Sequence, residues 1–226
     1  MTATDKRTDR RRGAQHGTER SSGTRQEQRP GVQNGAERLT WKGGTIEAPL
    51  PAVLVTSGTM DKANVMTVAW TGIVNTDPPM TYISVRPERY SYEIIRDRRE
   101  FVINLPTAQM ARTVDYCGVK SGRDTDKIAA CHLNLLPGEM VRAPLIAECP
   151  LQLECRVRQE MALGSHHMFL ADILAVRVDP SVVDPSGKLR IDQCGLLAYA
   201  HGQYFALGRI LGKFGYSVAK NNKKHR

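Results

Sequence analysis

Small hydrogen-bonding residues crowd the ends of apolar runs in this chain: Asn64, Thr67, Ser84, Ser91, Asn104, Ser121 and Gly122. Arg86, Arg89 and Lys127 lie near them in sequence. Hydroxyls, backbone N–H groups and one or two cations are what an anionic phosphate needs. A helix beginning near Ser91 would add its N-terminal donors and dipole. Trp70 and the neighbouring strand backbone could line an apolar slot for a flat heteroaromatic ring with polar atoms at its edges. Taken singly, each of these residues is an ordinary turn or cap residue. Only the set would make a site, and the set needs a further argument.

Other chemistries leave no trace. No GxGxxG follows a strand, and no GxxxxGK[ST], HExxH or GxSxG occurs. His166 and His167 are adjacent, and neighbours on a strand point to opposite faces, so they cannot share one metal. The nearest acid, Asp172, lies in the same run, and no metal site is expected. Five cysteines (Cys117, Cys131, Cys149, Cys155 and Cys194) make an odd number without CxxC spacing. Free thiols in a reducing, cytoplasmic compartment suit that pattern better than a disulfide framework.

The elements that must position these residues read as mainly β. Strand-like runs cover 52–57, 64–75, 81–86 and 101–105 in the first half, and prolines 78 and 79 end the second of them. In the second half, 151–161 alternates apolar and polar residues with period two, and 167–178 is its partner across a turn at 162–165. A hairpin joins 196–199 to 204–207. Helices are short, at 91–98, 108–116 and 126–130. Several antiparallel strands with few helices imply a closed or nearly closed barrel, mainly β or α+β. Long crossover helices, which a doubly wound α/β fold requires, are missing.

The net charge of +9 sits in the tails. Residues 1–40 carry nine Lys/Arg against five Asp/Glu, and 220–226 carry four Lys/Arg and no acid. The rest, 41–219, is balanced to within one charge. The basicity therefore says little about a nucleic-acid groove, and no nucleic-acid partner is expected. Residues 1–40 are too polar to offset their ordering entropy and read as a disordered basic segment. Residues 41–219 read as the folded domain and 220–226 as a basic tail. No apolar run approaches membrane-spanning length, and the N-terminus lacks the apolar stretch of a secretory signal.

The runs 64–70 (NVMTVAW) and 84–91 (SVRPERYS) resemble the flavin reductase-like family, and its flavoredoxin branch most. The resemblance continues through 101–106 (FVINLP), 115–118 (DYCG), 121–127 (SGRDTDK), 164–169 (GSHHMF) and 207–217 (LGRILGKFGYS). It covers about 42–219 in the family's order. It implies an antiparallel split β-barrel with a few short helices, bound FMN, and a homodimer with flavin sites near the subunit interface. Carried over by position, Asn64, Met66, Thr67, Ala69 and Trp70 resemble the strand that lines the ring and approaches the phosphate. Ser84 resembles the residue at the ring edge, with Asn104 and Leu105 bordering the ring. Arg86, Arg89, Tyr90 and Ser91 resemble the phosphate end, and Ser121, Gly122 and Lys127 a second phosphate contact. His166 matches a histidine facing the reactive side of the flavin. Ser165 stands where many members carry aspartate, which bears on the orientation and charge of His166 and on any nicotinamide-binding role. Cys117 falls near the flavin, where it is either redox-active or simply a small buried residue. The function so implied is an NAD(P)H-dependent oxidoreductase passing electrons through FMN to free flavin, a ferric complex or a redox protein. Its alternatives are an electron carrier without its own nicotinamide site and a flavin-binding module without turnover.

Overall fold

β-branched residues fill the runs that become strands, and the period of two decides which faces they bury. The computed structural model describes residues 37–219. The basic segments read at 1–40 and 220–226 lie outside the described residues, apart from 37–40. The chain divides into 1–43 and 44–226. In the first unit, 37–43 are exposed and hold no regular element.

The second unit is built on one antiparallel sheet of seven strands. In chain order these are β2 (Val53–Thr59), β3 (Lys62–Val68), β4 (Thr71–Thr76), β5 (Pro79–Val85), β6 (Glu100–Leu105), β9 (Leu151–Ala162) and β10 (His167–Val178). In space the order is β3-β2-β6-β9-β10-β5-β4. The two edge strands, β3 and β4, are consecutive in the chain with only Ala69 and Trp70 between them. The sheet must therefore curl until its edges meet, which is a barrel with one open seam. Trp70 closes part of that seam, its carbonyl accepting from Ser84 N at 2.9 Å. The run 64–75, expected as one strand, is thus two. Ala69 and Trp70 interrupt it because β3 pairs with β2 while β4 pairs with β5 on the far side. Register shifts beside Ala171, Ala175 and Asn75 bend the long strands around the barrel.

Two clusters fill the interior and the outer face. Val53, Val55, Met66, Ile83, Phe101, Ile103 and Phe169 pack inside the barrel. Ala52, Leu54 and Val65 point the other way, against Val114 and Cys117. β2 is buried on both faces, and its sequence therefore shows no alternation. Val114 and Cys117 belong to α2 (Ala111–Val119), which follows a 3-10 turn at Ala108–Met110. The expected helix at 108–116 is this pair. α1 (Tyr90–Arg98) ends at Arg99 in the left-handed region, φ 59°. α3 (Lys127–Ala130) is capped by the Asp126 carboxylate, which accepts from Ile128 N at 3.0 Å and Ala129 N at 3.1 Å. The expected C-terminal hairpin forms as β11 (Leu197–Ala200) and β12 (Gln203–Ala206), joined by β1 (Leu50–Pro51). β7 (Leu135–Leu136) pairs with β8 (Leu145–Ile146), two strands too short to leave a periodic signal. The five cysteines are free thiols.

Candidate functional site

Two clefts meet at the open seam and share Met66, Arg86 and Arg89. One is about 320 Å³ and mostly apolar; the other is about 610 Å³ and cationic. Both fall in the range of roughly 300–1,000 Å³ typical of small-molecule sites.

Strand ends and an unpaired helix terminus build the cationic end. Arg86, Arg89, Lys120, Arg123 and Lys127 line it, against one carboxylate, Glu88. Glu88 pairs with Arg86 at 3.6 Å. Its own backbone N–H, and then that guanidinium, hold its carboxyl below the usual range. Arg89 Nη1 donates to Gly118 O at 3.0 Å, and Arg123 Nη1 to Glu88 O at 2.8 Å. The Arg123 guanidinium also lies 5.6 Å over the Tyr90 ring. Lys127 is buried, and its Nζ donates to Cys117 O and Lys120 O, both at 3.1 Å, which leaves one donor free. Burial pushes its ammonium below the usual lysine range.

α1 opens on this end with no side chain capping its first N–H groups. Those donors and the helix dipole favour an anion there. Asn64 and Ser91 are buried behind the opening and joined, Asn64 Nδ2 donating to Ser91 Oγ at 2.5 Å. Gly122 closes over them. A Cβ at that position would overlap Asn64 Oδ1 and come within 2.7 Å of Tyr90 Cδ1, so only glycine fits without displacement. Ser121 completes the turn, its Oγ accepting from Arg123 N at 3.2 Å.

The apolar end is lined by Ala52, Met66, Val68, Trp70 and Val85. Ala69 and Ser84 add strand backbone at its edge. Thr67 lines the cleft, but its hydroxyl donates to the Val114 carbonyl and so anchors α2. Tyr199 and Tyr204 form a further wall, their rings edge-on with centroids 5.7 Å apart. Tyr204 Oη donates to Asp115 Oδ1 at 3.2 Å. Burial, reinforced by Asp115, pushes that phenol up to about 12. His166 is half-buried at the rim, its Nδ1 3.0 Å from Ser165 Oγ. Burial and then Arg86 lower its pKa from 6.5, so the imidazole is neutral near pH 7.

Two residues read as ring contacts lie elsewhere. Asn104 is fully buried on the far side of β2 and β6. Its Nδ2 donates to Leu54 O at 3.0 Å and Thr56 Oγ1 at 3.1 Å, and its Oδ1 accepts from Ile146 N at 2.8 Å. It fastens the segment around β8 to the sheet. Leu105 lines a separate apolar groove with Pro49, Pro106 and Leu207. In the sheet β2 and β3 stand between β6 and the seam, and neither residue lines either cleft. The other residues read for ring and phosphate all line one cleft or the other. Ala52, Lys120, Arg123, Tyr199 and Tyr204 also line the clefts and were not among the residues read for the site. Tyr199 and Tyr204 face each other in register across the β11–β12 hairpin, but the sequence holds no sign that this hairpin folds over the seam.

The site can take a molecule with a flat ring at one end and a phosphate at the other. The apolar slot matches the ring, and the uncapped α1 with its surrounding cations matches the dianion.

Known proteins agree with this architecture. The flavin reductase like domain matches residues 46–208. The structure of flavoredoxin from Desulfovibrio vulgaris (Miyazaki F) superposes with a TM-score of 0.75 at 31% identity, over 81% of this chain and 100% of that one. Flavoredoxin from Methanosarcina acetivorans gives 0.74 at 30% identity, with 81% and 100% covered. An uncharacterized protein of Archaeoglobus fulgidus is 34% identical over 128 residues, 57% of this chain and 72% of that protein.

Proposed function

Since this chain belongs to the flavin reductase-like family, on its flavoredoxin branch, we propose that it is an FMN-binding oxidoreductase. In this reading it passes electrons from NAD(P)H through FMN to free flavin, a ferric complex or a redox protein. One observation carries the reading: the apolar slot and the cationic pit adjoin, sharing Met66, Arg86 and Arg89.

FMN, when bound, supplies the hydride and electron chemistry. The chain's own residues bind and orient it. Met66, Val68 and Trp70 exclude water from the ring. Ser84 and the backbone at Ala69 meet its polar edge. Arg86, Arg89 and the donors of Tyr90 and Ser91 take the phosphate, with Ser121, Gly122 and Lys127 on its other side. His166, neutral at the rim, helps position a nicotinamide and can hold a proton there.

Absorption spectroscopy of the purified protein tests FMN binding directly: a bound flavin gives a yellow protein. Stopped-flow mixing of the yellow protein with NADH or NADPH then tests the electron donor. Rapid bleaching supports it, and no bleaching by either nucleotide refutes it. A second reading, a carrier reduced only through a partner protein, is favoured by Ser165. That hydroxyl offers His166 no negative charge to hold it as an imidazolium. Inertness to nucleotides and to partner reductases alike would leave a binding module without turnover.

The reading includes a homodimer, in keeping with the exposed apolar residues at the end of the described chain, among them Ile210, Leu211 and Phe214. Five free thiols suit a cytoplasmic setting.

A further inference from the structure

Outside the cleft, three titratable side chains meet at one point. Tyr92 Oη donates to Glu160 Oε1 at 2.6 Å and lies 2.8 Å from His167 Nδ1. His167 Nδ1 is in turn 3.0 Å from the same carboxylate oxygen. The phenol has one proton and gives it to the carboxylate, so the proton between Tyr92 and His167 belongs to Nδ1. His167 thus shares one N–H between the phenol oxygen and Glu160. Tyr92 is buried, with Phe169 at 5.5 Å, the His167 ring edge-on at 5.3 Å, and the Arg96 guanidinium 5.7 Å over its face. Burial and the Glu160 carboxylate raise the phenol above its usual range. The two donors, Tyr92 first, hold Glu160 below its own.

The placement of this cluster connects the two ends of the site. Tyr92 stands in the first turn of α1, directly after Ser91 at the phosphate end. His167 opens β10, directly after His166 at the ring end. Glu160 lies on β9, the other arm of the hairpin whose turn carries His166. We propose that Tyr92, Glu160 and His167 are positioning residues. They form a clasp that fixes the N-terminus of α1 relative to the turn bearing His166, so that a phosphate-anchored flavin meets the rim at a set reach. None of the three lines the cleft. The inference rests on the flavin reading above.

FMN and riboflavin, which differ only in the phosphate, separate this role from general support. Their affinity ratio measures how well α1 meets the phosphate. In Tyr92→Phe and in His167→Leu, FMN binding should weaken about tenfold, with riboflavin affinity unchanged. The ratio falls accordingly. His167→Asn keeps a side-chain N–H near the Nδ1 position and should restore it. A ratio unchanged in both variants would overturn the proposal. So would equal weakening of both ligands, the mark of a loosened domain, or an asparagine variant behaving like the leucine one. Wild-type protein that binds neither ligand would refute the flavin reading itself, and the clasp with it.

Discussion

Gly122→Ala tests the phosphate end with a single methyl group. The added Cβ would overlap Asn64 Oδ1 and sit 3.0 Å from Asn64 Cγ and 2.7 Å from Tyr90 Cδ1. Ordinary carbon–carbon contacts need about 3.5–4.0 Å, so Asn64 and Tyr90 must each retreat by roughly 1 Å. Asn64 has little room, because it is buried and donates to Ser91 Oγ at 2.5 Å. Its displacement breaks that bond and leaves buried polar atoms unpaired, a cost of about 1–3 kcal/mol. Tyr90 moves with the first turn of α1, where the phosphate donors lie. The expected result is roughly 5- to 150-fold weaker FMN binding by fluorescence titration, with riboflavin affected much less. Thermal unfolding of the apo-protein should fall by roughly 2–12 °C, since the same 1–3 kcal/mol is lost from the folded state at about 2–4 °C per kcal/mol. Unchanged FMN affinity in a folded Gly122→Ala protein would refute the placement of the phosphate.

Three further outcomes follow from the same geometry. The double variant Arg86→Ala, Ser91→Ala should be purified colourless, since each side chain offers the phosphate a charge-assisted bond of about 1.5–3 kcal/mol; a yellow protein would remove the assignment. Asn104→Ala should lower stability by about 2–5 kcal/mol in urea titration, because Ile146 N and Leu54 O lose their buried partner. Its FMN affinity should stay at the wild-type value, and a selective loss of FMN would return Asn104 to the site. His166 has a folded pKa below its unfolded value, so the unfolded chain takes up its proton first as pH falls through about 6.5. Stability should therefore rise with pH through the window just below 6.5, and His166→Gln should flatten that part of the profile in chemical denaturation.

Much of the barrel was legible because its strands obey local rules. The twelve residues of β10 begin and end where its run was expected to, and β9, where the alternation lies, differs from its expected span by one residue. Residues whose role depends on distant parts of the chain were not legible. Asn104 beside an apolar strand reads the same whether it meets a ligand or, as here, the backbone of Ile146 forty-two positions away. The break at Ala69 and Trp70 was hidden for a related reason. Both halves of the run favour β structure, and only the partners chosen by β3 and β4 show that the chain crosses the seam. Tyr199 and Tyr204 reach the cleft only because their hairpin folds back against α2, where Tyr204 meets Asp115 eighty-nine residues earlier. The residues of the cationic cleft were easier to group, since a glycine in a tight turn, serines and arginines carry their chemistry in their identity.

The two-residue link between β3 and β4 also bears on how such a protein could diversify. An insertion there would separate the two edges of the sheet and change the width of the slot, so the frame around the ring is closed to length variation. The hairpin tips are not. Gly164 and Gly202, at the turns beside His166 and between β11 and β12, have nothing within 4 Å of an added Cβ. Residues can be gained or lost at those tips without touching the frame. A lineage built on this chain would keep one cofactor seat and change the company it keeps by rewriting two loops.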